Sequence, residues 1–307
     1  MSRGSRLALG LLAGTALDAL VPDPRRGHPV ATFGSAAGAV ERRLYADSRA
    51  RGTLFTGLCV GAAIVAGWVV ERRSGPARPA VVAAGTWAVL GARSLRAEAA
   101  AVHAQLAEGD LEAARKRVTH LVGRDPSVLD ADGIARAAVE SVAENTCDAI
   151  VAPLLWGAVA GLPGLFGYRA VNTLDAMVGH RSPRYARFGW AAARLDDLAN
   201  LVPARATAGL VAAVAPISGG DARAALRTAV RDGRRHPSPN SGVSEAAYAG
   251  ALGLRLGGRN VYEGRFDDRP TMGDGKPPSP DDIPRAARVC AAVTAAAALL
   301  AAAVARR

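Results

Sequence analysis

Apolar runs alternate with polar stretches along the chain, and no stretch of any length alternates residue by residue as a half-buried strand would. The apolar runs are Arg6–Val21, Thr53–Val70, Pro79–Gly91, Asp148–Tyr168, Leu198–Ile217 and Val289–Ala305. A membrane-spanning helix needs about 20 predominantly apolar residues. Thr53–Val70 is free of charge for its whole length and meets that demand alone. Together the runs predict an all-α, multi-pass helical integral membrane protein with about four to six membrane segments and helical polar loops. The competing reading is a soluble, Ala-rich helical bundle. Asp148–Tyr168 is broken by Pro153, Gly161, Pro163 and Gly164. These breaks permit a re-entrant hairpin at 149–167, because broken helices are tolerated where protein or a cavity covers the backbone. Arg6–Val21 is read as a span and not a leader, since no clear cleavage site precedes Asp18 and Asp23.

The polar loops are 22–52, 93–147, 169–197 and 218–285, within a single membrane domain, 1–307. Asp110 is placed to cap LEAARKRV, Gly123 to stop that helix, and Asp130 to cap IARAAVESVAENT. The loops 22–52, 93–147 and 218–285 hold most of the Lys and Arg, which predicts that they are cytoplasmic and that both termini lie outside. Composition agrees with a membrane setting: half of the residues are hydrophobic (50%) and mean hydropathy is +0.12. The net charge of +11 comes almost wholly from Arg, only Lys116 and Lys276 being Lys. In so Ala- and Gly-rich a chain this fits a codon bias, and no nucleic-acid partner is expected. Cys59, Cys147 and Cys290 have spacings of neither a zinc site nor a disulfide framework and read as small buried residues.

The stretch ESVAENTCDAIVAP stacks Glu140, Glu144 and Asp148 at i, i+4 and i+8, on one helix face. Like charges at that spacing repel. A cation would relieve them, and Mg²⁺ takes one or two carboxylates plus substrate phosphates. Pairing with nearby Arg residues would also relieve them. Asn145 beside them, and the abrupt apolar continuation, favour function, since polar groups at membrane depth are expensive unless used.

In YRAVNTLDAMVGH, Arg169, Asn172 and Asp175 fall along one side of a helix, and Asp196, Asp197 and Arg205 follow. Arg is the natural fork for phosphate or carboxylate; intrahelical pairing, Arg169 with Asp175 or Arg194 with Asp197, is the competing account. A third cluster, RRHPSPNSGVSEAAYAG, sets His236, Ser238, Asn240 and Ser241 before a helix with Glu245 in its first turn. A Ser/Asn/Gly loop at a helix N-terminus favours anions. No GxxxxGK[ST] phosphate loop is present, so any nucleotide must be held differently.

Five motifs in order, DPRRGHPV, ESVAENTCDAIVAPLLW, YRAVNTLDAMVGH, RFGWAAARLDDLANLVPAR and HPSPNSGVSEAAYAGALGLRLGGRNVYEG, with RP at Arg269–Pro270, resemble the CobD/CbiB family of cobalamin-biosynthesis proteins. Ala176 departs from the NTLDSM often found there. The resemblance implies a multi-pass enzyme of the inner (plasma) membrane with its active site on the cytoplasmic face. Such an enzyme joins the free propionate of adenosylcobyric acid to (R)-1-amino-2-propanol phosphate, or to aminopropanol, in an amide bond. ATP would drive the reaction and Mg²⁺ would accompany it, the corrinoid being substrate and not prosthetic group. Other membrane enzymes of nucleotide-loop assembly are expected partners beside the bilayer. On this reading the catalytic candidates are Glu140, Glu144, Asp175 and His236, and the metal candidates Glu144, Asp148, Asp196 and Asp197. Substrate or nucleotide would meet His28, Asn145, Arg169, Asn172, Arg205, Ser238, Asn240, Ser241, Glu245, Asn260 and Tyr262. Which acid is the base is left open by the sequence. The alternative class is a non-enzymatic AmpE-like membrane sensor, or a transporter. One conflict stands: if every apolar run spans, 169–194 lies across the membrane from the other two clusters, and a re-entrant 149–167 removes it only if Leu198–Ile217 does not cross either.

Overall fold

The structure is a computed structural model describing residues 2–307, apart from 25, 26, 124, 181, 263, 264 and the side chains of 259–268. In chain order its helices begin with α1 (Arg3–Leu20), α2 (Pro29–Leu44), α3 (Arg49–Arg73) and α4 (Arg78–Val89). There follow α5 (Ala92–Ala107), α6 (Leu111–Val118), α7 (Ala131–Thr146), α8 (Ala152–Leu174) and α9 (Trp190–Ala199). Then come α10 (Leu201–Val214), α11 (Ala222–Asp232) and α12 (Ser241–Leu252), a hairpin of β1 (Leu256–Tyr262) and β2 (Arg265–Met272), and α13 (Asp282–Ala305). The caps behave as their residue types dictate: Asp110 accepts from the Ala113 N–H and Asp130 from the Gly133 N–H.

Among the described residues, four helical stretches are long and apolar enough to cross a membrane: Arg49–Arg73, Ala131–Gly179, Leu201–Ser218 and Asp282–Ala305. The protein is therefore an all-α, multi-pass membrane protein. The runs at 6–21 and 79–91 are helical too, but α4 has 12 residues and α1 carries Arg3, Arg6 and Asp18. At 1.5 Å per residue α4 is only about 18 Å long.

The chain divides into two compact units, 1–91 with 148–200 and 297–307, and 92–147 with 201–296. In the first, α1 packs on α4 and α3 on α8. Small residues bring the helix pairs close, as in membrane helices generally. A Cβ on Gly10 would stand 2.5 Å from Val82 Cβ, and one on Gly14 would overlap Thr86. The core beneath the polar residues of this unit includes Phe55, Val60, Val171, Leu174, Val178 and Phe188, with the Phe55 and Phe188 rings 5.2 Å apart.

Helix α8 is two helices folded on each other. Gly161 has φ 66° and ψ −146°, a backbone conformation open to glycine and little else. Beyond it the chain turns back: a Cβ on Gly157 would lie 2.8 Å from Leu165 Cγ, and one on Gly164 would overlap the Trp156 carbonyl oxygen. Residues eight apart in a straight helix are about 12 Å apart. Pro163 follows the bend, and the Leu162 N–H donates to Glu71 Oε2 at 2.7 Å.

In the second unit α12 is buried on every side, so its apolar residues are not confined to one stripe. Helices α7, α10 and α11 enclose it. Tyr248 is fully buried and its hydroxyl meets Thr146 Oγ1 at 2.8 Å. The antiparallel hairpin was not expected from the sequence. Its register breaks between Leu256 and Gly258, leaving Gly257 as a bulge with φ 81°. Helix α7 grips that bulge at both backbone atoms: the Gly257 N–H donates to Glu140 Oε1 at 2.8 Å, and Arg136 Nη1 donates to the Gly257 carbonyl at 2.9 Å.

Candidate functional site

Each unit carries a polar cluster. In the first, a π-helical turn at Asp175–Gly179 follows α8, and the turn at Cys147–Val151, after α7, contributes Asp148 from just past the unit boundary. Such turns are rare and recur at functional sites. They carry Asp148 and Asp175. Gly179 is required beneath Asp175, since a Cβ there would overlap Asp175 Oδ1. Arg169 faces the negative charges of Asp148 and Asp23, donates to Asn172 Oδ1 at 3.3 Å, and keeps a buried Nε without a hydrogen-bond partner.

A chain of hydrogen bonds holds the next acid. The Tyr168 hydroxyl donates to Asn200 Oδ1 at 2.8 Å, and Asn200 Nδ2 donates to Asp196 Oδ2 at 3.0 Å. Asp196 Oδ1 is buried with no hydrogen-bond partner. Burial, then the charge of Asp175, push the Asp196 carboxyl up to about 7, against the opposing effect of the Asn200 and Asn172 amides. Asp197 turns to Arg194, 3.0 Å away, the intrahelical pairing anticipated as its alternative role. His28 caps α2 through Nδ1, which accepts from the Val30 N–H at 3.3 Å, while its Nε2 stands 3.5 Å from Asp23 Oδ1.

The second unit gathers Glu140, Glu144, Arg205, His236, Ser238, Asn240, Ser241 and Glu245. Ser241 Oγ donates to Glu144 Oε1 at 2.9 Å, and Arg205 Nη1 donates to Asn240 Oδ1 at 2.9 Å. The first backbone N–H groups of the loop are already engaged. Ser238 Oγ accepts from Asn240 at 3.3 Å and Ser241 at 3.2 Å, and His236 Nδ1 accepts from Ser238 at 3.1 Å. The other ring nitrogen, Nε2, stands 4.0 Å from Glu245 Oε1 and 3.5 Å from Arg269 Nη1. Burial, then the positive charge of Arg269, hold the His236 pKa below its ordinary value. Asn145 donates back to the Ser141 carbonyl at 2.9 Å within its own helix.

Glu140 and Glu144 thus share one unit with the His236 loop and Arg205, while Asp148, Arg169, Asn172, Asp175, Asp196 and Asp197 belong to the other. Asn260 and Tyr262 lie in β1, and their side chains are outside the described residues. The sequence reading missed Arg136, although it sits four residues before Glu140, and it missed Asp23 and Tyr168 as partners of the candidates. Among the described residues, no group of three or more His, Cys, Asp or Glu is placed to hold a metal ion. Asp175 and Asp196 nonetheless fit Mg²⁺ as a two-carboxylate set completed by substrate oxygens, because Asp196 Oδ1 is buried and unpartnered.

Fold and clusters define a multi-pass helical membrane protein with buried acid–arginine–amide sites. A family model described as CobD/Cbib protein matches residues 11–290, and the chain belongs to the CobD/CbiB family. It is 52% identical over 295 residues to the cobalamin biosynthesis protein CobD of Mycobacterium tuberculosis (strain ATCC 25618 / H37Rv), covering 96% of this chain and 94% of that one. It is 46% identical over 272 residues to the protein of the same name from Geobacter metallireducens, covering 86% of each chain. A CobD of Rhodobacter capsulatus is also 46% identical, over 85% of this chain and 84% of its own. No solved structure matches the chain significantly.

Proposed function

We propose that this protein acts in cobalamin biosynthesis as an ATP-dependent, amide-forming ligase of the inner membrane. It joins the free propionate of adenosylcobyric acid to (R)-1-amino-2-propanol phosphate, or to aminopropanol. The observation that carries this reading is family membership across residues 11–290, a span that includes all five motifs.

The chemistry sets the parts required. The propionate oxygen takes the γ-phosphoryl group and ADP leaves. The amine then attacks the acyl carbon, phosphate leaves, and the ammonium proton must go to a base. The first unit supplies Asp175 and Asp196 to hold Mg²⁺ and Arg169 to orient an anionic oxygen. Bound Mg²⁺ would offset the charge of the ATP phosphates. In the second unit Arg205 and Arg269 supply positive charge near Asn240 and His236, which suits an anionic substrate group. Glu144 accepts from Ser241 and is a candidate acceptor of the ammonium proton. These clusters would work on the cytoplasmic side, where ATP is found.

The test is the full-length protein in nanodiscs with adenosylcobyric acid, ATP, Mg²⁺ and each aminoalcohol, followed by mass spectrometry of the corrinoid. The expected product is heavier by the aminoalcohol less one water, with ATP consumed. Asp175→Asn should lower the rate by about a hundredfold or more while the protein stays in the membrane. An unmodified corrinoid under every condition would favour the sensor or transporter reading.

A further inference from the structure

One end of the first unit gathers arginines around a cleft of about 490 Å³. The first turn of α1, the start of α4, the folded tip of α8 and the last turn of α13 form its walls. Arg78 is buried in that wall: Nη1 donates to the Arg3 carbonyl at 3.0 Å, and Nη2 pairs with Glu71. Its Nε is buried and has no hydrogen-bond partner. Glu71 is already engaged by the Leu162 N–H and by Arg78. Arg3, its side chain 85% exposed, stands 3.6 Å from Glu71, and Arg307 lines the rim. Three arginine side chains therefore stand against the one carboxylate side chain in the lining.

The surroundings fix the depth of this cleft. The candidate span α3 ends at Arg72 and Arg73, and Arg72 lies 4.8 Å over the ring of Trp68, which is half exposed. Trp and Arg at the end of a span mark the membrane–water boundary. Away from the arginines the lining turns apolar, through Leu7, Val304 and Val159, the last 72% exposed.

We propose that this cleft binds the phosphate of an anionic phospholipid. Arg3, Arg78 and Arg307 face the headgroup, and the acyl chains run along Val159 and Val304. Guanidinium groups suit phosphate oxygens through paired, charge-assisted hydrogen bonds, and basic pockets among membrane helices take anionic headgroups. The apolar wall distinguishes a lipid from a free phosphate, which has nothing to place there. A bound lipid would brace the tip of α8 through Arg78 and Glu71.

The test uses the full-length protein in phosphatidylcholine nanodiscs, with thermal unfolding followed as phosphatidylglycerol is titrated in. Phosphatidylglycerol should raise the midpoint, and inorganic phosphate at the same concentration should not. In the Arg3→Gln/Arg307→Gln variant the dose for half the effect should rise about five-fold per arginine removed. Arg78→Lys keeps a charge beside Glu71 and removes the Nε donor, and should also weaken the response. No effect of phosphatidylglycerol, an equal effect of inorganic phosphate, or an unchanged dose response in the double variant would each overturn the proposal. Ligase activity is not the readout, so the result is independent of the proposed reaction.

Discussion

Asp196 is half-buried, as is Asp175, whose charge it feels, and the pair sets its own pH dependence. Its carboxyl is pushed up to about 7 by burial and by that neighbour. An acid with a raised folded-state pKa holds a proton that the unfolded chain releases, so stability is lost as pH rises between the two values. Here the window runs from about 4, the unfolded value, to about 7. Each pKa unit corresponds to about 1.4 kcal/mol, so the metal-free protein carries a penalty of up to a few kcal/mol above pH 7. In chelator, Asp196→Asn should therefore melt higher than wild type at pH 8, with the gap closing as pH falls toward 4. Added Mg²⁺ should stabilise wild type at pH 8 and leave the variant unmoved. A gap independent of pH would show that Asp196 is not the strained acid. The sequence revealed the acids, because three carboxylates at helical spacing and a second Asp pair invite a chemical explanation. It did not reveal what they touch. Asp197 met Arg194 and Glu140 met the Gly257 bulge, and only folding decides which acid keeps an unpartnered oxygen.

At the scale of elements, the break in the run 148–168 was legible and the β-hairpin was not. Gly and Pro at Gly161, Pro163 and Gly164 are local instructions to interrupt a helix. The hairpin instead hides behind Gly257–Gly258, which spoils any alternation, and it is secured by Arg136 and Glu140 from a distant part of the chain. The GLLAG run of α1 reads in the sequence only as apolar, although Gly10 and Gly14 are what admit α4. The turn of α8 yields a sharp expectation. Gly161→Ala places a Cβ on a backbone of positive φ and extended ψ that is essentially closed to other residues and costs roughly 1–3 kcal/mol. The same Cβ would overlap the Glu71 carboxylate and dislodge it from the Leu162 N–H. The variant should lose roughly 2 kcal/mol or more, read as a lowered melting midpoint and lower membrane abundance. Gly57→Ala in α3 is the control, because nothing lies within 4 Å of a Cβ there. If both variants melt alike, the Gly161 turn is not what shapes this hairpin.

For the whole molecule, two of the four boundaries between the units, at 147/148 and 296/297, fall inside continuous helical stretches, and the other two, at 91/92 and 200/201, fall at breaks of one or two residues between helices, so no long linker in the sequence announces them. The same continuity bears on membrane topology. Six crossings in alternation would place 169–197 on the side opposite 22–52. The folded α8 returns the chain to the end it entered from: Arg169 on the way out faces Asp148 on the way in, as well as Asp23. A segment that enters and leaves at one end returns 169–197 to the side of 93–147, and the loop 218–285 shares that side only if Leu201–Ser218 does not cross. The connection 22–52 carries Arg25, Arg26, Arg42, Arg43, Arg49 and Arg51, the charge pattern of a cytoplasmic loop, and 169–197 should lie with it. The short turn between α3 and α4 should lie on the other side. Single-cysteine labelling in intact cells reads this directly, with the buried Cys59, Cys147 and Cys290 replaced. Ala77→Cys and Ala186→Cys both introduce thiols at exposed positions. An impermeant reagent added outside should modify the thiol at position 77 and leave that at 186 untouched until the cells are opened. Equal labelling of both from outside would mean that α8 crosses the membrane as a full span, and Asp175 and Asp196 would then face away from the cytoplasmic ATP.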